Sequence, residues 1–285
     1  RGNGRDPAAH RLLQRLLETF HFRHLYHVSG KKVRESFCKK NMTTYGLVGF
    51  PLGHSFSKGF FTDKFSAEGI DAEYLNFEIP QIESLHEIIS SQPNLRGLNV
   101  TLPHKQTVIP LLDELSDEAR AIGAVNVIRI SRTSQGIRLK GFNSDTIGFS
   151  NSIRPLIKPH HRKALVLGTG GASKAICYSL DTMGIAWKYV SRTPHPGMLA
   201  YADLTQDILN DHHIIINCTP VGMFPHTDAC PPIPYDCLSD AHLAYDVVYN
   251  PTTTLFMQKA KEHGAVTKNG LEMLHLQAIA AWEIW

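Results

Sequence analysis

The alternation of strand-like and helix-like runs predicts an α/β protein with two sheets in two domains. Short apolar runs rich in β-branched residues recur along the chain, and amphipathic runs of helical period separate them. Such alternation is typical of mainly parallel sheets, because neighbouring parallel strands are joined by a crossover, usually a helix. The length of 285 residues also suggests about two domains.

The N-terminal half contains the first set of predicted elements. In chain order these are a strand at 45–49, a helix at 57–68, a strand at 72–78, a helix at 82–90 and strands at 95–101, 124–130 and 136–142. Residues 131–135 read as the turn between the last two strands. We expect residues 44–148 to form a mainly parallel α/β domain.

The C-terminal half repeats the rhythm. Its predicted elements are a strand at 164–167, a helix at 173–183, and strands at 186–190, 214–217 and 244–248. Residues 149–269 are expected to form a nucleotide-binding domain, joined to the first domain near residues 149–161. A final helix at 271–285 carries an apolar stripe, and residues 270–285 are expected to return to the first domain.

A glycine-rich turn in this second half predicts a dinucleotide site of Rossmann type. The run Lys163-Ala-Leu-Val-Leu-Gly-Thr-Gly-Gly-Ala-Ser173 joins an apolar strand to the start of a helix. Glycines there permit the tight turn, let backbone approach a pyrophosphate and keep the helix start close to the sheet. The helix N-terminus then faces the phosphates. The candidate cofactor-binding residues of this turn are Gly168, Thr169, Gly170, Gly171 and Ala172.

The end of the next strand indicates which dinucleotide is bound. Folds specific for NAD usually carry an acid there, which accepts a hydrogen bond from the ribose 2′-OH. This chain instead has Ser191, Arg192 and Thr193, which supply donors and a cation suited to a 2′-phosphate. NADP is therefore the expected cofactor.

Composition excludes several other classes of protein. Hydrophobic residues make up 42% and charged residues 19%, as in ordinary globular chains. No apolar run approaches the roughly 18 residues of a membrane span, and no signal-peptide core appears. The five cysteines form no CxxC pair and no Cys/His metal spacing, so reduced thiols and no metal are expected. We expect a cytoplasmic protein without a membrane or nucleic-acid partner.

The first 43 residues differ from the rest in charge. Residues 1–41 hold ten of the 29 Lys and Arg but three of the 26 Asp and Glu, so the remainder is mildly acidic. A nucleic-acid or membrane tether is one interpretation, and a metal site at His21, His24 and His27 is another. The favoured interpretation is a disordered extension or gene-model artefact, because Met42 stands two residues before the first strand-like segment.

Polar residues cluster after the strands of the first domain. They lie in four segments: Gly53-His-Ser-Phe-Ser57, Asn99-Val-Thr-Leu-Pro-His-Lys105, Gly123-Ala-Val-Asn126 and Gly141-Phe-Asn-Ser-Asp145. Open α/β sheets bind ligands at the carboxyl ends of their strands. Hydroxyls, amides, one Lys and one Asp suit a small polyhydroxylated acid, and Lys could serve as the acid/base group that carbonyl reduction requires.

These motifs together resemble the aroE-type shikimate dehydrogenases, over residues 45–285. Members of that family reduce 3-dehydroshikimate to shikimate with NADPH, on the route to chorismate and the aromatic amino acids. Ser55 and Ser57 match the family's Ser-x-Ser, and residues 99–105 match its Asn-Val-Thr-x-Pro-x-Lys in full. The resemblance implies that Lys105 is catalytic and that Asp145 holds it in position.

The resemblance also implies the remaining site residues. Those expected to contact the substrate are Ser55, Ser57, Asn99, Thr101, Asn126, Asp145, Tyr249 and Gln277. Val247 and Gly270 are expected beside the nicotinamide. The chain departs from the family pattern at Lys58, which replaces the usual Pro after Ser57, at Val127 and Ser144, which replace Thr, in the 217–220 segment, and at Ser191, which replaces Asn.

Other interpretations of these residues stay open at this stage. Ser55 and Ser57 could be helix N-caps, Gln277 could be a solvated helix residue, and His54 and His104 are read as structural or rim groups. For the whole chain, the alternatives are a quinate/shikimate dehydrogenase using NAD and a nucleotide-binding regulator without turnover. The sequence does not determine the oligomeric state; a homodimer is the assembly considered.

Overall fold

A computed structural model describes residues 42–53 and 56–285. The predictions made for residues 1–41, including the extension and its histidines, lie outside the described residues. The same holds for the predictions made for His54 and Ser55.

Within the described residues 42–53 and 56–153, the structure has ten strands and helices. In order they are β1 (Thr43–Gly49), α1 (Phe56–Glu68), β2 (Ala72–Glu78), α2 (Leu85–Ser91), β3 (Leu95–Val100), β4 (Glu114–Leu115), α3 (Asp117–Ile122), β5 (Val127–Thr133), β6 (Gly136–Phe142) and α4 (Asp145–Ile153). The predicted helix at 82–90 is a 3₁₀ turn at Ile82–Ser84 that continues into α2.

Ten more elements follow. They are β7 (Lys163–Leu167), α5 (Gly171–Thr182), β8 (Ala186–Ser191), β9 (Leu199–Ala200), α6 (Gln206–Asp211), β10 (Ile214–Asn217), β11 (Leu243–Asp246), α7 (Leu255–Glu262), β12 (Val266–Lys268) and α8 (Leu271–Ile284). Three predicted strands, 72–78, 136–142 and 214–217, have the predicted bounds.

The first sheet is mixed, with strand order β2-β1-β3-β5-β6-β4. Strands β2, β1 and β3 are parallel, β5 is antiparallel to both of its neighbours, and β4 is parallel to β6. Side chains alternate between faces along each strand. Accordingly, Val48 lies in one buried cluster with Leu98, while Leu47 lies in another with Phe61 and Tyr74.

The second sheet is wholly parallel, with strand order β9-β8-β7-β10-β11-β12. Counted along the chain from β7, this is the order 3-2-1-4-5-6 of dinucleotide-binding folds. Buried clusters cover both faces, as a parallel sheet requires. The order reverses between β7 and β10, so the predicted Rossmann-type unit is confirmed and its ligand crevice lies outside the carboxyl ends of those strands.

Helix α8 returns to the first sheet, as predicted. Gly97 of β3 leaves room for Trp285, because a Cβ there would overlap the indole. The indole stacks on Tyr45 at 4.9 Å between centroids, and its Nε1 donates to the Ile128 carbonyl at 3.1 Å. The last helix therefore closes over the sheet formed by the first half of the chain.

The segment that joins the two sheets contains a helix that was not predicted. Residues 145–153 form helix α4, whose Phe149 and Ile153 pack in the core beneath the second sheet. The predicted domain division at residue 148 falls inside this helix and stays a prediction. The sequence did not predict α3, α6 or α7 either, because six to nine residues carry too little periodicity to be recognised.

Two global properties concern the described residues alone. Within 42–53 and 56–285, every helix is too short or too polar to span a lipid bilayer. No group of three or more His, Cys, Asp or Glu side chains in the same ranges is arranged to hold a metal ion.

Candidate active site

A buried ion pair joins Lys105, which follows β3, to Asp145, the first residue of α4. Lys105 Nζ donates to Asp145 Oδ2 at 2.5 Å, and the two side chains are only 14% and 6% exposed. The loop that carries Lys105 is anchored, because the backbone carbonyl of Lys105 accepts a hydrogen bond from Val125 N at 2.7 Å. An ammonium is thus held by its carboxylate partner with little access to bulk water.

The Asp145 carboxylate is fixed at both oxygens. Asn126 Nδ2 donates to Oδ1 at 2.9 Å, while Oδ2 receives the Lys105 ammonium. The backbone N–H of Asp145 donates to Asn143 Oδ1 at 3.1 Å. A carboxylate at the first position of a helix is also favoured by the helix dipole. Sequence analysis placed Asp145 in a loop, whereas the structure places it at the start of a helix that directs the carboxylate.

Gln277 of α8 reaches the same cluster. Its Oε1 lies 3.4 Å from Asn126 Nδ2 and 3.5 Å from Ser144 Oγ, and the residue is buried. This approach of α8 to α4 depends on Gly148, where a Cβ would lie 2.5 Å from the Met273 carbonyl and 3.1 Å from Gln277 Cβ. The interpretation of Gln277 as a solvated residue is therefore wrong.

Three predicted substrate-contacting residues, Ser57, Asn99 and Thr101, lie in α1, in β3 and just after β3. Asn99 is buried near the carboxyl end of β3, with Oδ1 2.7 Å from the Tyr74 hydroxyl. Ser57 also hydrogen-bonds Tyr74. Because α1 begins at Phe56, Ser57 lies inside the helix and is not its N-cap. Thr101 is half-buried just after β3, and its N–H donates to the Val48 carbonyl at 2.9 Å.

Two further residues complete the comparison with the predicted site. Tyr249, half-buried after β11, contacts Phe56 of α1 edge to face at 6.2 Å, and burial raises the pKa of its hydroxyl. His104 is buried and bonds the Ile79 carbonyl through Nε2 at 2.7 Å, which agrees with its interpretation as a structural group.

The glycine-rich turn has the geometry that a dinucleotide needs. Gly168 has φ +96°, a conformation that side chains disfavour, and a Cβ there would lie 2.9 Å from Thr219 Cγ2. Gly170 faces open space, as is required where a phosphate approaches backbone. It precedes the 12-residue helix α5, and no side chain caps that N-terminus. These residues therefore fit a bound pyrophosphate.

Gly171 has a role that sequence analysis did not predict. A Cβ at this position would lie 2.9 Å from Cβ and 3.3 Å from Cδ of Lys105. The stem of the Lys105 side chain therefore rests on the start of α5. The predicted catalytic Lys and the predicted cofactor turn are in direct contact.

The predicted adenosine and nicotinamide contacts lie at opposite sides of the switch point. Arg192 and Thr193 are exposed after β8, and Ser191 Oγ accepts from Thr193 N at 3.1 Å, which shapes this turn. On the other side, Val247 N donates to the Asn217 carbonyl at 2.9 Å. Gly270 lies against Val247, because a Cβ would overlap the Val247 carbonyl.

Sequence analysis missed a buried carboxyl beside the predicted nicotinamide residues. Asp246, the last residue of β11, accepts from Asn217 Nδ2 at 2.9 Å, from Val248 N at 3.0 Å and from Thr254 Oγ1 at 2.6 Å. Burial raises its pKa to about 6, against these hydrogen bonds. The network links the segments after β10 and β11. An acid directly before Val247 was the only sequence signal for it.

The chain is similar to proteins of one known family. The model of the shikimate dehydrogenase substrate binding domain matches residues 47–128. The chain is 36% identical over 259 residues to the shikimate dehydrogenase (NADP(+)) of Methanosphaera stadtmanae, an alignment that covers 84% of this chain and 90% of that protein.

Two solved structures are similar throughout. A chorismate mutase/shikimate 5-dehydrogenase fusion protein from Clostridium acetobutylicum is 37% identical, with a TM-score of 0.76 over 86% of this chain and 91% of that one. Shikimate 5-dehydrogenase from Thermus thermophilus, in complex with NADP(H) and shikimate, is 30% identical, with a TM-score of 0.74 over 86% and 93%. With this fold, these motifs and this similarity, the chain belongs to the shikimate dehydrogenase family.

Proposed function

We propose that this protein catalyses the reversible NADPH-linked reduction of 3-dehydroshikimate to shikimate, on the route to chorismate and the aromatic amino acids. The observation that carries the proposal is the buried Lys105–Asp145 pair in contact with the glycine-rich turn through Gly171. A proton donor and a dinucleotide site are thereby adjacent, which is the arrangement that carbonyl reduction needs.

Lys105 supplies the proton in this reaction. NADPH, when bound at the 168–172 turn, supplies the hydride that reduces the C3 carbonyl carbon. As the C–O π bond breaks, the carbonyl oxygen gains negative charge, and a proton passes to it from Lys105 Nζ. In the reverse direction the neutral amine accepts the proton of the C3 hydroxyl. Asp145 Oδ2 keeps Nζ in place, and water restores the proton after the substrate leaves.

The polar side chains around this pair suit a hydroxylated carboxylic acid. Asp145 is proposed to accept from a ring hydroxyl, and the amides of Asn126 and Gln277 lie beside it as further polar contacts for the substrate. Asn99 and Thr101 line the pocket from β3, and Tyr249 lines it from the loop after β11. Ser55 and Ser57 match the family's Ser-x-Ser motif, and on that basis we assign them to the substrate carboxylate.

Arg192, with Ser191 and Thr193, is the proposed site of the 2′-phosphate. Its guanidinium is exposed at the carboxyl end of β8, and no carboxylate follows that strand to accept from a free 2′-OH. NADP is accordingly the proposed cofactor. Two of the three relatives described above carry NADP(+) or NADP(H) in their names, which favours this assignment over the quinate/shikimate enzyme with NAD.

Shikimate-dependent reduction of NADP, followed by the absorbance of NADPH, tests the proposal. Rapid turnover with shikimate and NADP, and slow turnover with quinate or NAD, is the expected result. Turnover with quinate and NAD at equal efficiency would favour the alternative enzyme. Saturable NADP binding without turnover of either acid would instead support a nucleotide-binding regulator.

The substrate is a small molecule. Three further matters are proposals: we infer a homodimeric assembly, a cytoplasmic location, and substrate-binding and nucleotide-binding domains divided near residue 148. Light scattering of the purified protein checks the assembly. A single mass equal to one chain across micromolar concentrations would contradict the dimer.

A further inference from the structure

Tyr74 carries a buried hydroxyl that neither the proposed chemistry nor the family motifs use. It lies in the middle of β2, only 3% exposed, and pairs in register with Tyr45 of β1. Its ring stacks on Phe61 at 4.8 Å between centroids, with an interplanar angle of 11°. The ring is therefore held by the aromatic cluster between α1 and the first sheet.

The Tyr74 hydroxyl connects two predicted substrate-contacting residues. It donates to Asn99 Oδ1 at 2.7 Å, and Ser57 is its second hydrogen-bond partner. Ser57 belongs to α1 and Asn99 to β3, so β2 joins elements that lie on either side of it in the chain. Burial raises the pKa of Tyr74 well above its usual value, so the hydroxyl keeps its proton and remains a donor at neutral pH.

This hydrogen bond determines which end of the Asn99 amide is available. An Asn side chain has one acceptor oxygen and one donor NH₂ group, which differ little in shape but oppositely in chemistry. With Oδ1 bound to Tyr74, the donor end is left with a long contact of 3.4 Å to the Asn126 carbonyl. Asn99 therefore presents Nδ2–H, which matches an acceptor oxygen on a ligand.

We propose that Tyr74 is a positioning residue that fixes the Asn99 amide with its donor end toward the substrate. The proposal rests on the proposed function, in which Asn99 contacts shikimate. Tyr74 itself touches no reacting group. Its effect belongs to substrate recognition, because Lys105 and the cofactor turn bond to other partners.

The Tyr74→Phe variant removes the hydroxyl and keeps the stacked ring. Without it, the Asn99 amide loses one orienting hydrogen bond, and such a bond has a net value of about 0.5–1.5 kcal/mol. We expect the KM for shikimate to rise roughly 3- to 10-fold, while kcat and the KM for NADP change less than about twofold. An unchanged KM for shikimate in a folded variant would overturn the proposal.

Tyr245→Phe is the matched control. Tyr245 is equally buried, and its hydroxyl likewise pairs with a serine, Ser152, at 2.7 Å, but in the core of the second sheet. It should lower the melting temperature as Tyr74→Phe does and leave the KM for shikimate unchanged. An equal rise of that KM in both variants would mean that the effect is one of general stability, and the proposal would fail.

A double-mutant cycle with Asn99→Ala tests whether Tyr74 acts through Asn99. If it does, Tyr74→Phe has no further effect on the KM once the amide is gone. Multiplicative effects of the two substitutions would contradict this. Both results require a wild-type enzyme that turns over shikimate. Failure of the proposed function would appear as a wild-type protein without turnover, whereas failure of this inference would appear in the variants of an active wild-type enzyme.

A crystal structure of the wild-type protein with shikimate provides a test that does not depend on folding of the variants. We expect Asn99 Nδ2 within hydrogen-bond distance of a substrate oxygen while Oδ1 remains on the Tyr74 hydroxyl. An Asn99 side chain that has rotated away from Tyr74 to reach the substrate would overturn the proposal.

Discussion

Lys105 is held in position by contacts with several other segments of the chain. Its ammonium is matched by Asp145, its backbone carbonyl is anchored by Val125 N, and its stem rests on Gly171. A lysine on a surface loop would have none of these restraints. The position of the nitrogen therefore depends on three separate segments of the chain.

Replacing this lysine tests its proposed role. Lys105→Ala should lower kcat roughly 10²- to 10⁴-fold, the usual contribution of a positioned acid/base group, with NADP affinity retained. Steady-state kinetics with shikimate measure this. Lys163→Ala is the control, since Lys163 also pairs with an aspartate, Asp211, but at the surface. Near-normal turnover of Lys105→Ala would remove this residue from the mechanism.

Arg192 is the residue on which the choice between NADP and NAD is expected to depend. Because hydrogen bonds to charged groups contribute about 1.5–3 kcal/mol, Arg192→Ala should raise the KM for NADP roughly 10- to 100-fold. The KM for NAD, which has no 2′-phosphate, should change little. Arg162→Ala, at an exposed residue just before β7, is the control. Equal losses with both cofactors would contradict the assignment.

Helix α4 shows how one short element can link the site to both sheets. Its first residue, Asp145, lies in the site, Phe149 and Ile153 pack beneath the second sheet, and Gly148 allows α8 to approach. A displacement of α8 relative to α4 would move Gln277 away from Asn126.

Two helical glycines give a matched test of this packing. A Cβ at Gly148 would lie 2.5 Å from the Met273 carbonyl, whereas a Cβ at exposed Gly59 in α1 would meet nothing within 4 Å. Gly148→Ala should destabilise the protein by about 1–3 kcal/mol through overpacking, and should raise the KM for shikimate. Gly59→Ala should stabilise it by up to about 1 kcal/mol.

Chemical denaturation of the two glycine variants measures both effects. The same sign for both would mean that helix propensity, and not the approach of α8 to α4, governs position 148.

At the scale of the whole molecule, the two ends of the second sheet carry different kinds of residue. The predicted ligand residues lie at the carboxyl end, while buried histidines occupy the amino end. His161 Nδ1 accepts from Lys158 N at 3.0 Å, and His242 Nδ1 accepts from Ser239 N at 3.0 Å. Because Nδ1 accepts a hydrogen bond in each ring, it carries no proton, and both imidazoles are neutral. Burial lowers the pKa of both and of His212. Repulsion from His160 and His213 adds to this at His161 and His242, and repulsion from Lys163 and Lys188 adds to it at His212.

Stability should consequently decrease in acid. The pKa of these histidines is about 6.5 in the unfolded chain and lower in the folded protein, so their contribution is present above pH 6.5. As the pH falls below that value, the unfolded chain binds protons that the folded protein excludes, and the free energy of unfolding falls. Asp246, with its raised pKa, acts with the opposite sign between about pH 4 and 6.

A variant isolates the histidine effect. His242→Gln retains a donor and an acceptor but cannot titrate, so it should flatten the fall in unfolding free energy between pH 7.5 and 5.5. His86→Gln, at an exposed residue of α2, is the control. Urea denaturation across this range measures the slopes. An unchanged slope in His242→Gln would mean that other groups control the acid response.

The parts of this protein that could be predicted from sequence depend on local stereochemistry. Strand and helix periods, the glycine turn at 168–172 and the cation after β8 are properties of neighbouring residues, so they are readable without a fold. Hence the second sheet, the expected cofactor and the candidate Lys105–Asp145 pair could all be predicted from the sequence. The family motif, not spacing, supplied that pairing across 40 residues.

Only the tertiary structure decided which polar groups share one pocket. Gln277 meets Asn126 across 151 residues of chain, and Tyr74 of β2 meets Asn99 of β3 across the intervening strand β1. The start of α4, the buried Asp246 network and the contact of Lys105 with Gly171 are of the same kind. No local pattern encodes these contacts, because they arise only when packing of the two sheets and α8 has buried the groups beside one another.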